Sequence, residues 1–208
     1  MTLLKYRVRL ILLFAATAAF AGNPKVATDP AVVVSVDGNG TVPGTLWLDA
    51  QSWVIRIFKK INVLIRWESG KLPTSVLPHR LLIGVHVAIK EPGSIVEQSP
   101  VCPSRAAFAC SFPFDPAPHT VIVMYERVLF YQHRPRLLPR LLGHAIAHEI
   151  AHVLSGRTTH SETGIMKKDW TSADLDRMEV DGLEFNEGDI RSIQEGFDSR
   201  RRGAEPKQ

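Results

Sequence analysis

The stretch His148-Glu149-Ile150-Ala151-His152 sets two imidazoles four residues apart, with a carboxylate beside the first. On a helix that spacing separates two side chains by about 40° around the axis and about 6 Å along it. Both rings can therefore reach one ion at about 2.0–2.1 Å per nitrogen, the zinc–imidazole distance. Glu149 then projects to the side where a metal-held water would sit. Zinc brings the pKa of such a water toward about 7, and a carboxylate can take its proton as the water attacks a polarised carbonyl. The chemistry such a group would carry is hydrolysis at a carbonyl, with Glu149 as the expected general base.

His144 lies on the same helical stripe. From residue 144 to residue 152 the rise is about 12 Å, far beyond one coordination shell. The pair 144/148 also lacks a carboxylate in the corresponding place. His144 is therefore expected to be a hydrogen-bonded, partly buried histidine behind the site. Catalytic zinc takes three protein ligands and keeps one open position. His160, in "GRTTHSE", has polar neighbours and no core role, which makes it the expected third ligand.

The elements that must position this group show in the periodicity. "PRLLPRLLGHAIAHEIAHVLS" (135–155) is helical, with Leu141, Leu142, Ile146, Ile150, Val153 and Leu154 apolar. Pro139 is tolerated in a first turn, and Gly156 suits a left-handed C-terminal position. Upstream, "PAVVVSV" (30–36) reads as a strand stopped by the turn-rich "DGNGTVPG" (37–44). "DAQSWVIRIFKKI" (49–61) places Trp53, Val54, Ile57, Phe58 and Ile61 on one helix face, with Asp49 as cap. "NVLIRW" (62–67), "RLLIGVHVAIK" (80–90) and "HTVIVMYE" (119–126) have strand length and composition. Between the last two, 91–118 reads as a long loop placed to wall a substrate groove. "TSAD" (171–174) fits a capping box, and "NEGDIRSIQEGF" (186–197) a final helix with Asn186 as cap and Ile190, Ile193 and Phe197 inward.

The first residues concern targeting. "MTLLKYRVRLILLFAATAAFAG" carries Lys5, Arg7 and Arg9, then an apolar run, then Ala19-Phe20-Ala21. A basic region, an apolar region and an A-x-A site describe a secretory signal peptide over 1–21. The apolar run, about 18 Å long as a helix, is short of the roughly 30 Å hydrocarbon core, so no membrane span is expected after cleavage. Cleavage takes away three basic side chains and no acidic one, so the net charge falls from +4 to +1. That removes the main support for a nucleic-acid partner, because Arg200-Arg201-Arg202 sits in what reads as a basic, disordered tail over 199–208. Cys102 and Cys110, the only two cysteines, are expected to pair as a disulfide in an exported chain. At 208 residues and 45% hydrophobic, the chain has enough material for one real core.

With "TGIM" following His160, the chain resembles a metzincin metallopeptidase, and "DIRSIQEGF" is similar to the final helix of matrix-metalloproteinase-like catalytic domains. The resemblance covers roughly residues 119–198. It implies His148, His152 and His160 as zinc ligands, Glu149 as general base, and Met166 in a tight Met-turn beneath the metal. Gly156 stands four residues after His152 where the family has three, and His160 eight after it where the family has six. Lys168 occupies the place where some families carry an oxyanion-stabilising tyrosine. The expected fold is α+β, a zincin-like single domain over 22–198. It has a mixed twisted sheet, a backing helix, an active-site helix, and a small C-terminal part holding the Met-turn and final helix. The expected function is a secreted or periplasmic, monomeric zinc endopeptidase acting on a peptide or protein substrate. Two alternatives compete: a gluzincin-type peptidase with Glu162 or Glu179 as third ligand, and a non-catalytic exported zinc-binding protein.

Overall fold

The helix that carries the paired histidines, α3 (Leu137–Ser155), is buried along almost its whole length, and the other elements are arranged around it. The structure is a computed structural model that describes residues 31–37, 39–68, 82–90, 107–115 and 118–204. The leader-like residues 1–21 and Cys102 lie outside the described residues.

Five strands form one mixed sheet in the order β2-β1-β3-β5-β4: β1 (Ala31–Asp37), β2 (Leu64–Glu68), β3 (Leu82–Lys90), β4 (Ala109–Ser111) and β5 (His119–Met124). The first four in that order run parallel, with Val32 opposite Ile65, Val34 opposite Val85 and Val87 opposite Val121. β1 lies inside the sheet and buries Val32, Val33, Val34 and Ser35 in succession, the pattern of a strand covered on both faces. The sheet's Val85, Val87, Val121 and Val123 join one core with α1 (Gly44–Lys59) and α3. Helix α1 buries Trp47, Ala50, Val54, Ile57 and Phe58, a helical spacing in which each large side chain is worth about 1.5–3 kcal/mol of transfer free energy. It packs directly on α3. The expected α+β architecture, with a backing helix and a central histidine helix, is the one observed.

Several boundaries differ from expectation. Helix α1 begins at Gly44, not at Asp49, because Trp47 N–H bonds to the Pro43 carbonyl and the buried Trp47 ring gives the extra turn an apolar anchor. The run 119–126 ends as a strand at Met124; Tyr125–Leu129 is a short helix, α2. The segment 91–118 is not loop throughout, since β4 pairs antiparallel with β5 and places Ser111 opposite Val121. Helix α4 (Ser172–Val180) starts at the expected capping box of Thr171 and Asp174.

The tail expected at 199–208 is a correction. Helix α5 runs Glu187–Ala204, past the domain limit drawn at 198, and residues 205–208 lie outside the described residues. Arg200 points inward and donates to the Val153 and Leu154 carbonyls, which end α3 without partners of their own helix. At Gly196 a Cβ would stand 1.9 Å from the Leu154 carbonyl oxygen, so the backbones of α3 and α5 meet there. Among the described residues no helix is long and apolar enough to cross a membrane.

Candidate metal centre

His148 and His152 are both buried on α3, and the Nδ1–H of each donates to a backbone carbonyl. The acceptors are Ile165 O at 2.8 Å for His148 and Arg157 O at 2.7 Å for His152. These bonds fix the tautomer and leave the Nε2 lone pairs to do other work. The two Nε2 atoms face each other at 3.0 Å. Burial, followed by repulsion from the neighbouring ring, holds His148 down at about 3. Burial also holds His152 down, at about 4. Both rings are thus neutral, with two lone pairs opposed and no proton to bridge them. That contact is repulsive by itself and becomes favourable with a cation seated beside both nitrogens. Two nitrogens each about 2.0–2.1 Å from a tetrahedral zinc would lie about 3.3 Å apart, close to the separation observed.

His160 completes the group. Its ring centroid is 5.3 Å from that of His148 and 4.9 Å from that of His152. One nitrogen from each of the three rings lies within 4.8 Å of the others, the one such cluster of His, Cys, Asp or Glu among the described residues. Burial and nearby Lys168 lower the His160 pKa, and Asp169 works against them. The donor set, three neutral imidazoles converging from a helix and a loop, fits a zinc ion.

The longer return to His160 is accommodated by anchoring. Gly156 ends α3 at φ 63°, in the left-handed region, with its N–H on the His152 carbonyl. Residues 157–160 are exposed. At their start, the Arg157 guanidinium donates to Ser192 Oγ on α5 at 3.0 Å. After them, Ser161 N–H donates to Met166 O at 2.8 Å, and Ser161 Oγ donates to the Asp189 carboxylate. Asn186 caps α5 as expected, and the Asp189 carboxylate in turn accepts the Asn186 N–H. The return from Gly156 to His160 therefore runs through an exposed loop that keeps the ring beside its partners.

Met166 is buried, and Ile165 of the same turn supplies the carbonyl that orients His148. Trp170 donates Nε1–H to that carbonyl at 3.3 Å and sets its ring nearly perpendicular to the His148 imidazole. Trp170 is half-buried, supporting the histidine rings while stacked on Phe108.

Glu149 is only 8% exposed. Burial pushes its carboxyl up to about 7, against the opposing effect of a hydrogen bond from Ser111 Oγ to Oε2 at 2.6 Å. Ser111 went unnoticed in the sequence because 38 positions separate it from Glu149 and only β4–β5 pairing brings it in. The turn-rich "FPFDPAP" (112–118) ahead of β5 was the available signal for a strand before it.

His144 behaves as expected of a histidine behind the site, though it is wholly buried and not partly so. Its Nδ1–H donates to Arg140 O at 2.6 Å, and its Nε2 accepts Leu183 N–H at 2.9 Å. The glutamate-ligand alternative meets a direct obstacle. Glu179 is bound by the Arg134 guanidinium, and neither it nor Glu162 belongs to the three-histidine group.

No family model matches the chain, and no curated protein matches it in sequence. Among solved structures, archaemetzincin from Methanopyrus kandleri resembles it with a TM-score of 0.49 and 14% identity, over 83% of this chain and 98% of that one.

Proposed function

We propose that this chain is a zinc-dependent endopeptidase of metzincin-like type, with His148, His152 and His160 as ligands and Glu149 as general base. The supporting observation is the pair of neutral, opposed Nε2 lone pairs, with the third imidazole beside them. Zinc, when bound there, supplies a Lewis acid that acidifies water and polarises a carbonyl. The chain's own residues do the remainder. Ile165 and Arg157 carbonyls orient the two helical rings. Glu149, next to the first ligand and poised near neutrality by burial, takes up a proton and returns it to the leaving amine. Three protein ligands with a base beside them are the composition of a catalytic zinc site, whereas a structural site takes four protein ligands. The leader-like residues 1–21 support export, and the Cys102–Cys110 disulfide is proposed with it.

The purified chain should contain about one zinc per molecule, and a chelator should abolish cleavage of a peptide library. Glu149→Ala should keep the zinc while kcat falls by about 10²–10⁴, the usual worth of a general base. Full turnover in that variant would falsify the assignment.

A further inference from the structure

Glu149 projects from α3 toward β4, an edge strand of three residues, and meets one hydroxyl there. The register of β4 against β5 turns Ser111 to the same sheet face as the buried Val121, the face that packs on α3. The 2.6 Å bond from Ser111 Oγ holds one named oxygen, Oε2. A carboxylate gripped at one oxygen cannot rotate freely, so its second oxygen is left with one direction in which to work.

We infer that Ser111 is a positioning residue for Glu149, holding the base in one orientation whether or not it carries a proton. This rests on the peptidase reading for its purpose, but not for its geometry. A general base must pass through two protonation states in each cycle. When Glu149 is ionised, the serine hydroxyl donates to Oε2, as the structure shows. When the second oxygen, Oε1, has taken up a proton, Oε2 remains a carbonyl-type acceptor and the same hydroxyl still donates to it. No bond to carbon forms or breaks in this contact: Ser111 keeps its own proton, and the proton that Glu149 takes up sits on Oε1 until it is passed on. An apolar residue at 111 would leave a nearly buried carboxyl without this partner. A lysine would favour the ionised carboxylate and make it a weaker base. Threonine retains the whole function.

The experiment compares wild type, Ser111→Ala and Ser111→Thr as full chains, with zinc content measured in each. Ser111→Ala should bind zinc like wild type and cleave peptide with kcat about 10–100-fold lower at unchanged KM, the usual cost of losing such a supporting contact. Ser111→Thr should restore most of that loss. A second readout needs no turnover. The side-chain carboxyl carbon of Glu149, seen by NMR in glutamate-labelled protein and assigned by its absence in Glu149→Gln, should shift in Ser111→Ala and return in Ser111→Thr. An unmoved resonance, or an unchanged kcat in an active enzyme, overturns the inference and leaves the peptidase reading intact. Loss of zinc from Ser111→Ala also overturns it, because the serine would then be supporting the fold. Wild type that cleaves no peptide removes the peptidase reading, while the resonance still decides whether Ser111 holds Glu149.

Discussion

Three histidines share one stripe of α3, and all three give their Nδ1 proton to a backbone carbonyl. They differ at Nε2. That of His144 accepts Leu183 N–H from the turn after α4, so both its polar atoms have partners inside the protein. Those of His148 and His152 face each other. The first arrangement pairs a donor with an acceptor, and the second sets two acceptors against each other. Burial, helical setting and residue type are alike, so none of these separates His144 from the other two; the partner of the second nitrogen does.

The sharpest way to break this contrast is by metal affinity. His152→Ala should weaken zinc binding by at least about 1,000-fold, more than the loss of a merely supporting contact costs. His144→Ala should leave it within a few-fold. Titration of both apo-proteins with zinc decides the matter, and a large loss in the second variant would erase the distinction.

A smaller effect concerns stability, where the order reverses. His144→Ala leaves Leu183 N–H and the Arg140 carbonyl without their side-chain partner and opens space beside Trp53, so it should cost about 2–4 kcal/mol in denaturant unfolding. The same residue writes a pH signature. Burial holds the folded His144 at about 4, below the ordinary 6.5, so the unfolded chain binds more protons between those values. Its contribution therefore makes stability rise with pH through that window and fall as pH drops toward 4. His144→Gln should flatten this slope relative to wild type; an identical slope would mean that His144 titrates normally. The smallest expected change lies away from both regions. Thr171→Ala removes the cap of α4 and should cost about 1 kcal/mol with zinc affinity unchanged.

What was legible in the sequence was local. The histidine pair with its glutamate, the exit at Gly156 and the caps at Thr171 and Asn186 each depend on residues within one or two turns. The placement of His160 was legible as chemistry, but not the means of holding it, because Ser161 meets Asp189 across 28 residues. β4 was missed because three residues carry almost no period of their own and are fixed only by pairing with β5. The basic tail was misread for a related reason. Three consecutive arginines suggest solvent, yet Arg200 faces inward because α5 continues and two carbonyls at the end of α3 await donors.

The position of α5 in the chain has a consequence for timing. It follows every other described element, yet it supplies Arg200 to the end of the helix bearing two of the imidazoles and Asp189 to the loop bearing the third. A growing polypeptide that has emerged only as far as residue 186 already carries all three imidazoles and Glu149, but lacks Asp189 and Arg200, which contact the His160 loop and the end of α3. The surroundings of the histidine group are therefore completed by the last described helix, after the body of the protein has been synthesised.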